Sequence, residues 1–262
     1  MLSTLEIESQ QTGMVSRANR TASSGADAYV LALFRIVLSL VGIAYLVAYF
    51  LNCDLLWMCY DEPTQLCGKA LCLLGILSSA IRLVGAGGQK ISLLHFLAVT
   101  FLLPFSCPLR TVDMDMYLMM SFWACFMPLD RQLSMRQNKS DLVAGWPVLL
   151  LGINLAMFLL SAGLFKLFDP LWSKGLGLYM VLSLPFTRPE IFAGLANFRL
   201  PVAVANFAAI GMELVLLPCI LISPLRIVAA ILLFLFALGV MAPIHVPWIG
   251  FICLAGVLAI CS

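Results

Sequence analysis

Hydrophobic positions run along this chain in long blocks broken by short polar punctuation, and the block lengths decide the reading. A helix needs roughly 20 mostly apolar residues to cross the hydrocarbon core, fewer if it is kinked. Residues 28–51 form one such block, interrupted only by Arg35. A weaker block, 66–85, carries Lys69 and Arg82 near its ends. Residues 91–109 are free of charge between Lys90 and Arg110, and Pro104 is expected to kink that helix. A short block, 113–129, opens on Asp113 and Asp115, and 146–168 starts at Trp146-Pro147 and ends just past Lys166. Block 201–223 contains Glu213, and residues 227–262 carry no Asp, Glu, Lys or Arg. Ala242-Pro243-Ile244-His245-Val246-Pro247 divides that last stretch in two. The pattern predicts an all-α, polytopic integral membrane helix bundle of about eight transmembrane helices. Residues 175–186, after Asp169-Pro170-Leu171-Trp172-Ser173-Lys174, are too few to span and predict an interfacial or re-entrant helix closed by Pro185 and Pro189. The first 27 residues are polar and lack a signal-peptide cleavage pattern, so 1–27 reads as a tail and 28–262 as the transmembrane domain.

Composition agrees with the block pattern. Hydrophobic residues make up 63% of the 262 positions and charged ones 11%, whereas soluble domains hold about 45–50% and 25%. A soluble enzyme, a disordered chain and a nucleic-acid-binding module are all excluded, and a net charge of +2 implies no polyanionic partner. Charge placement orients the bundle. With the N-terminus in the cytoplasm, inner segments hold eight bases: Arg17, Arg20, Arg82, Lys90, Arg131, Arg136, Lys139 and Arg226. Outer segments hold four: Arg110, Lys174, Arg188 and Arg199. Both termini are therefore expected in the cytoplasm, where the Asn19-Arg20-Thr21 and Asn138-Lys139-Ser140 sequons escape glycosylation. Cys53, Cys59, Cys67 and Cys107 fall near the oxidising outer face, where a disulfide among them can form, while Cys72, Cys125, Cys219, Cys253 and Cys261 lie in apolar runs. No Cys/His spacing points to a metal.

Ionisable groups inside a bilayer cost roughly 2.5–3.5 kcal/mol at a helix centre and mark the first places to look for function. Glu213 lies about 15 Å into its span by helical rise, close to the midplane, and Arg35 about 10 Å into its own from the opposite side. They can pair and hold two helices together, or Arg35 can snorkel to the cytoplasmic face. Lys166, near the outer boundary, either snorkels or, partly desolvated, serves as a base. His245, in the Pro-bounded turn, and Asp113 and Asp115, at the same outer level, can orient it or shuttle protons. Equally, the acids can mark where their helix leaves the headgroups. Trp172, Trp248 and Tyr179 read as interfacial anchors. Gly152, Gly163, Gly175, Gly177 and Gly211 read as sites of close helix packing. Gly85-Ala86-Gly87-Gly88 reads as a turn, without the strand that a phosphate loop needs.

An ordered set of motifs narrows these options. Leu33-Phe34-Arg35-Ile36 lies in the first span and Pro128-Leu129-Asp130-Arg131-Gln132-Leu133-Ser134 closes the fourth. Ala162-Gly163-Leu164-Phe165-Lys166-Leu167 is followed by Trp172 and Gly175, then by Glu213, then by His245 before Ile249-Gly250-Phe251. From about Leu31 onward the chain resembles the HTTM family, named for a horizontally transferred transmembrane domain and similar to the membrane part of vitamin K-dependent gamma-glutamyl carboxylase. The resemblance implies that Lys166 is the base that deprotonates a membrane quinol, the cofactor or substrate expected here. It does not extend to the carboxylase's Asn-His pair, which Asp130-Arg131-Gln132-Leu133-Ser134 lacks, nor to its large lumenal domain. Two classes of function follow. One is a membrane enzyme that modifies a quinol, lipid or exported peptide, with Lys166 as base, His245 and Asp113 assisting, and Arg35 and Glu213 structural. The other is a non-enzymatic membrane subunit that assists maturation, export or immunity of a secreted peptide and has a partner protein.

Overall fold

The computed structural model describes residues 28–52, 60–106, 112–127, 145–184, 198–242 and 248–261, together with residues 129, 133, 187, 188, 190 and 194. Regular structure among them is helical: α1 (Ala28–Leu51), α2 (Glu62–Leu83), α3 (Gly88–Leu102), α4 (Val112–Ala124), α5 (Trp146–Phe168), α6 (Pro170–Ser173), α7 (Gly177–Leu182), α8 (Arg199–Leu221), α9 (Arg226–Met241) and α10 (Trp248–Cys261). Among the described residues, five helical segments are long and apolar enough to cross a membrane: Ala28–Leu51, Glu62–Leu83, Trp146–Phe168, Arg199–Leu221 and Ser223–Met241. Helices α3, α4 and α10, at 15, 13 and 14 residues, are each about 20 Å long at 1.5 Å per residue, short of a core about 30 Å thick. Five of the eight expected spans thus reach spanning length. Pro104 does not kink a long third helix. It lies in a 3-10 turn, Leu103–Ser106, which follows the end of α3, because proline lacks the N–H that would continue the α ladder.

Local chemistry sets the helix starts. Pro63 and Pro147 stand in the first turns of α2 and α5, where a missing N–H costs nothing. Asp169 caps α6, its carboxylate accepting from Leu171 N at 2.8 Å and Trp172 N at 3.2 Å. The interfacial helix expected over 175–186 is the shorter α7, Gly177–Leu182, and a separate turn of helix, α6, precedes it across Gly175, whose φ of +77° suits glycine.

Helix α2 packs on α1 and α3, α4 on α3 and α1, and α8 on α5 and α9, while α10 contacts α1, α4, α5 and α9. A helix apolar all round belongs in a core, and α10 buries Ile252, Cys253, Ala255 and Ala259. Outward faces remain apolar too, with Leu40, Leu77, Phe101, Phe207 and Leu235 exposed, as expected of a bundle in contact with lipid. Polar groups turn inward: Arg35, Ser39, Ser78, Ser79, Arg82, Ser92, His95, Ser121, Asn206 and Glu213 are buried.

Candidate functional site

One buried stripe of α8 carries Val202, Asn206, Ile210, Glu213, Leu216 and Ile220, three or four residues apart, so Asn206 and Glu213 face the same neighbours. Opposite them stands the C-terminal end of α5. Gly163 lies against Glu213: a Cβ there would come within 3.0 Å of the Cβ of Glu213, and its absence lets the two helices close. One turn on, Lys166 Nζ forms a salt bridge with Glu213 Oε1. Glu213 is 2% exposed and Lys166 22%. The other carboxylate oxygen, Oε2, is buried without a hydrogen-bond partner. Above the ammonium lies the ring of Trp172, its centroid 4.7 Å from Nζ, a cation–π distance.

The short helices hold this lid in place. Gly177 packs flat on the Trp172 ring, where a Cβ would approach within 2.2 Å. Asn206, fully buried, donates from Nδ2 to Trp172 O at 2.8 Å and accepts at Oδ1 from Leu178 N at 3.0 Å. Asn206→Ala strands Leu178 N and takes one of two donors from Trp172 O, which keeps the Gly175 N–H at 3.0 Å, at about 2 kcal/mol in all. Hydrogen exchange of residues 170–182 should then accelerate at least tenfold while that of α1 stays unchanged.

The structure corrects the expected Arg35–Glu213 pairing: Glu213 holds Lys166, and Arg35 donates from Nη1 to Leu129 O at 2.7 Å and from Nη2 to Leu133 O. Depth counted along each span misled because α5 and α8 are staggered. Glu213 lies about 21 Å along α8 from Arg199, while Gly163, level with it, lies only about 7.5 Å from the end of α5. The overhanging start of α8 packs on α6 and α7, which brings Lys166 level with a carboxylate assigned to the midplane. Arg35 instead joins the first-span and fourth-span motifs, and Leu133, at φ +49°, sits in the left-handed region that leucine rarely enters.

The other expected site residues divide. Asp113 is half-buried in the first turn of α4, and the carboxylate on Lys166 is Glu213. His245 lies outside the described residues, as do Cys53, Cys59, Cys107 and both sequons. Cys67 is exposed and unbridged, which removes it from the expected outer-face disulfide. Gly211 has open space beside it and is no packing contact. Beside the Lys166 end of α5, Ser161, Leu164, Phe165, Phe168, Asp169 and Pro170 line an open groove of about 530 Å³. Lys166 itself is not among its lining residues. Among the described residues, no three His, Cys, Asp or Glu side chains are gathered as a metal would need.

A second polar centre escaped the sequence reading. Fully buried His95 on α3 meets Tyr117 Oη on α4 at 2.7 Å through Nε2. Its Nδ1 lies 3.2 Å from Gly75 O, 3.1 Å from Ser78 Oγ and 3.2 Å from Ser79 Oγ. Arg82 donates from Nε to Ser39 Oγ at 3.1 Å and from Nη2 to Tyr117 Oη at 3.4 Å. Since arginine only donates, a consistent chain runs from Arg82 to Tyr117, from Tyr117 to Nε2, and from Nδ1–H of a neutral ring to the α2 groups. Four helices, α1 to α4, meet here. Helical spacing was the available signal: Ser78, Ser79 and Arg82 share a face of α2, as do Ser92 and His95 of α3.

Fold and site together define a class: an all-helical protein with an apolar outer surface, membrane-length helices and an interior ion pair. Comparison of the chain with family models, curated proteins and solved structures finds no match.

Proposed function

We propose that this chain is a multi-pass membrane protein in which α3, α4 and α10 cross the bilayer with the five long segments, both termini being cytoplasmic, and that Lys166 and Glu213 form a proton-transfer site for a lipid-soluble quinol. One observation carries the reading: a lysine ammonium, still partly open, is held between a buried carboxylate and a tryptophan ring in apolar surroundings. Moving a proton from Nζ to Glu213 would put a neutral amine and a neutral acid in place of two charges that apolar surroundings solvate poorly. The amine can then take the phenolic proton of a quinol, leaving a quinolate beside the ammonium. Glu213 Oε2, without a partner, is an open acceptor or a seat for the transferred proton. The groove beside Phe165 and Phe168 offers room for an apolar tail. The HTTM-like motif around Lys166 supports the same role, with His245 and Asp113 as assisting candidates.

The test is spectroscopic. Protein purified in mild detergent should carry a quinone, seen as a borohydride-sensitive ultraviolet difference spectrum, and Lys166→Met should reduce it at least tenfold. If the wild-type protein carries none and an added short-chain naphthoquinol leaves its tryptophan fluorescence unchanged, the reading is wrong.

A second reading takes the pair as a clip between α5 and α8, favoured by the contact of Gly163 with Glu213. The protein is then a non-enzymatic subunit for maturation, export or immunity of a secreted peptide. It requires a partner protein on cross-linking, and full cellular function when the pair is replaced by two methionines.

A further inference from the structure

Independently of Lys166, we propose that Arg82, Arg35 and the first turn of α3 form an oxyanion site that receives one oxygen of a phosphate group. A small cavity of about 10 Å³, open on one side, lies where α2 turns into α3, lined among others by Arg35, Arg82, Gly85, Ala86, Gly88 and Ser92. Its volume is that of about one water-sized probe, so it admits a single oxygen while the rest of the group stays at the mouth.

Arg82 gives the site its charge. Its side chain is 2% exposed, Nε and Nη2 are taken up by Ser39 and Tyr117, and Nη1 is buried with no hydrogen-bond partner. Among the described residues, Arg82 has no carboxylate partner. A buried guanidinium N–H left unmatched is costly, more so than a neutral one, and an anionic oxygen in the adjoining cavity removes that cost. Arg35 lines the other side, its Nη1 and Nη2 already holding Leu129 O and Leu133 O, so Arg82 is the group with an N–H to offer.

The opposite wall is the start of a 15-residue helix with Gly87 at its N-cap. The first N–H groups of a helix lack intrahelical acceptors, and its dipole favours an anion there. Ala86 and Gly88 flank the mouth with little bulk, and exposed Lys90 stands in the same first turn. A tetrahedral phosphate fits this division: one oxygen reaches Arg82, and the others remain outside for the helix N–H groups and Lys90. A carboxylate has only one further oxygen to offer. The group can come from an anionic lipid headgroup or from a soluble phosphate.

Full-length protein is purified in a non-ionic maltoside detergent, which carries no phosphate, and is examined alone, with added phosphatidylglycerol, and with inorganic phosphate. Unfolding is followed by intrinsic fluorescence. Ligand at about tenfold its Kd should raise Tm by about 3 °C or more. A rise with phosphatidylglycerol alone identifies the headgroup, and a rise with inorganic phosphate identifies a soluble source. Ala86→Glu, which puts a carboxylate at the mouth without touching the Arg82 hydrogen bonds, should abolish the rise while leaving the Tm in detergent alone within about 2 °C. No rise with either anion, or an equal rise in Ala86→Glu, overturns the site.

Discussion

Lys166→Met alone is expected to destabilise the protein by about 3 kcal/mol, and the double variant Lys166→Met/Glu213→Met to recover most of that loss. Removing one member of a buried pair strands the other, which costs about 3–5 kcal/mol, whereas apolar side chains of similar volume in place of both are often neutral. The low end applies because Lys166 keeps 22% exposure and the stranded carboxyl can take up a proton. Glu213→Met alone should cost less than Lys166→Met, since the orphaned ammonium can swing toward the groove end of α5. Thermal unfolding in one detergent across the four proteins measures this directly. A double variant as unstable as the sum of the singles would mean that the pair contributes nothing as a pair. The same cycle separates the two functions: a proton-transfer site leaves the double variant folded but unable to hold a quinone, whereas a clip leaves it folded and fully functional.

Gly42→Ala is expected to cost about 3 kcal/mol as well, through a different contact. A Cβ on Gly42 would lie 2.0 Å from Tyr117 Oη and 2.9 Å from Ser79 Oγ. Tyr117 cannot yield easily: it is 1% exposed, and its hydroxyl binds His95 and Arg82. Overpacking typically costs about 1–3 kcal/mol, and each buried polar group left unpaired by a displaced hydroxyl costs about 1–3 kcal/mol. Tyr117→Phe removes the clashing oxygen, so Gly42→Ala should be milder in that background, with a coupling of about 1 kcal/mol or more. Strict additivity in thermal unfolding would show that Gly42 and Tyr117 do not share this contact.

Much of the fold was legible because lipid leaves few choices. Residues 28–51 and 146–168 coincide with α1 and α5, since an apolar run of that length has one satisfactory backbone in hydrocarbon, the helix. Shorter runs were read less well. Residues 91–109 end early at Pro104, and the helix expected over 175–186 starts only at Gly177, past left-handed Gly175, because one missing N–H or one left-handed residue outweighs a favourable apolar run. Candidate chemistry was legible as a set of exceptions: Arg35, Lys166 and Glu213 stand where lipid excludes charge. Their partners were not. Asn206, His95 and Tyr117 were passed over because one polar side chain in an apolar run resembles noise until its neighbours on other helices are known. The repeat of three and four residues that places Ser78, Ser79 and Arg82 on one stripe was present in the sequence.

The sequence by itself determined an all-helical chain with membrane-length segments and few interior charges, because these follow from run length and the cost of desolvation. Only the tertiary structure decided which charges meet. Position along a span gives depth only if helices start level, and α8 begins well beyond the end of α5. That stagger, filled by α6 and α7, gives Glu213 to Lys166 and leaves Arg35 to bind the carbonyls of residues 129 and 133. Likewise, the Gly85–Gly88 turn is only a turn in sequence. It faces Arg82 because α2, α3 and α1 pack together, and packing across helices is not written in the order of residues along any one of them.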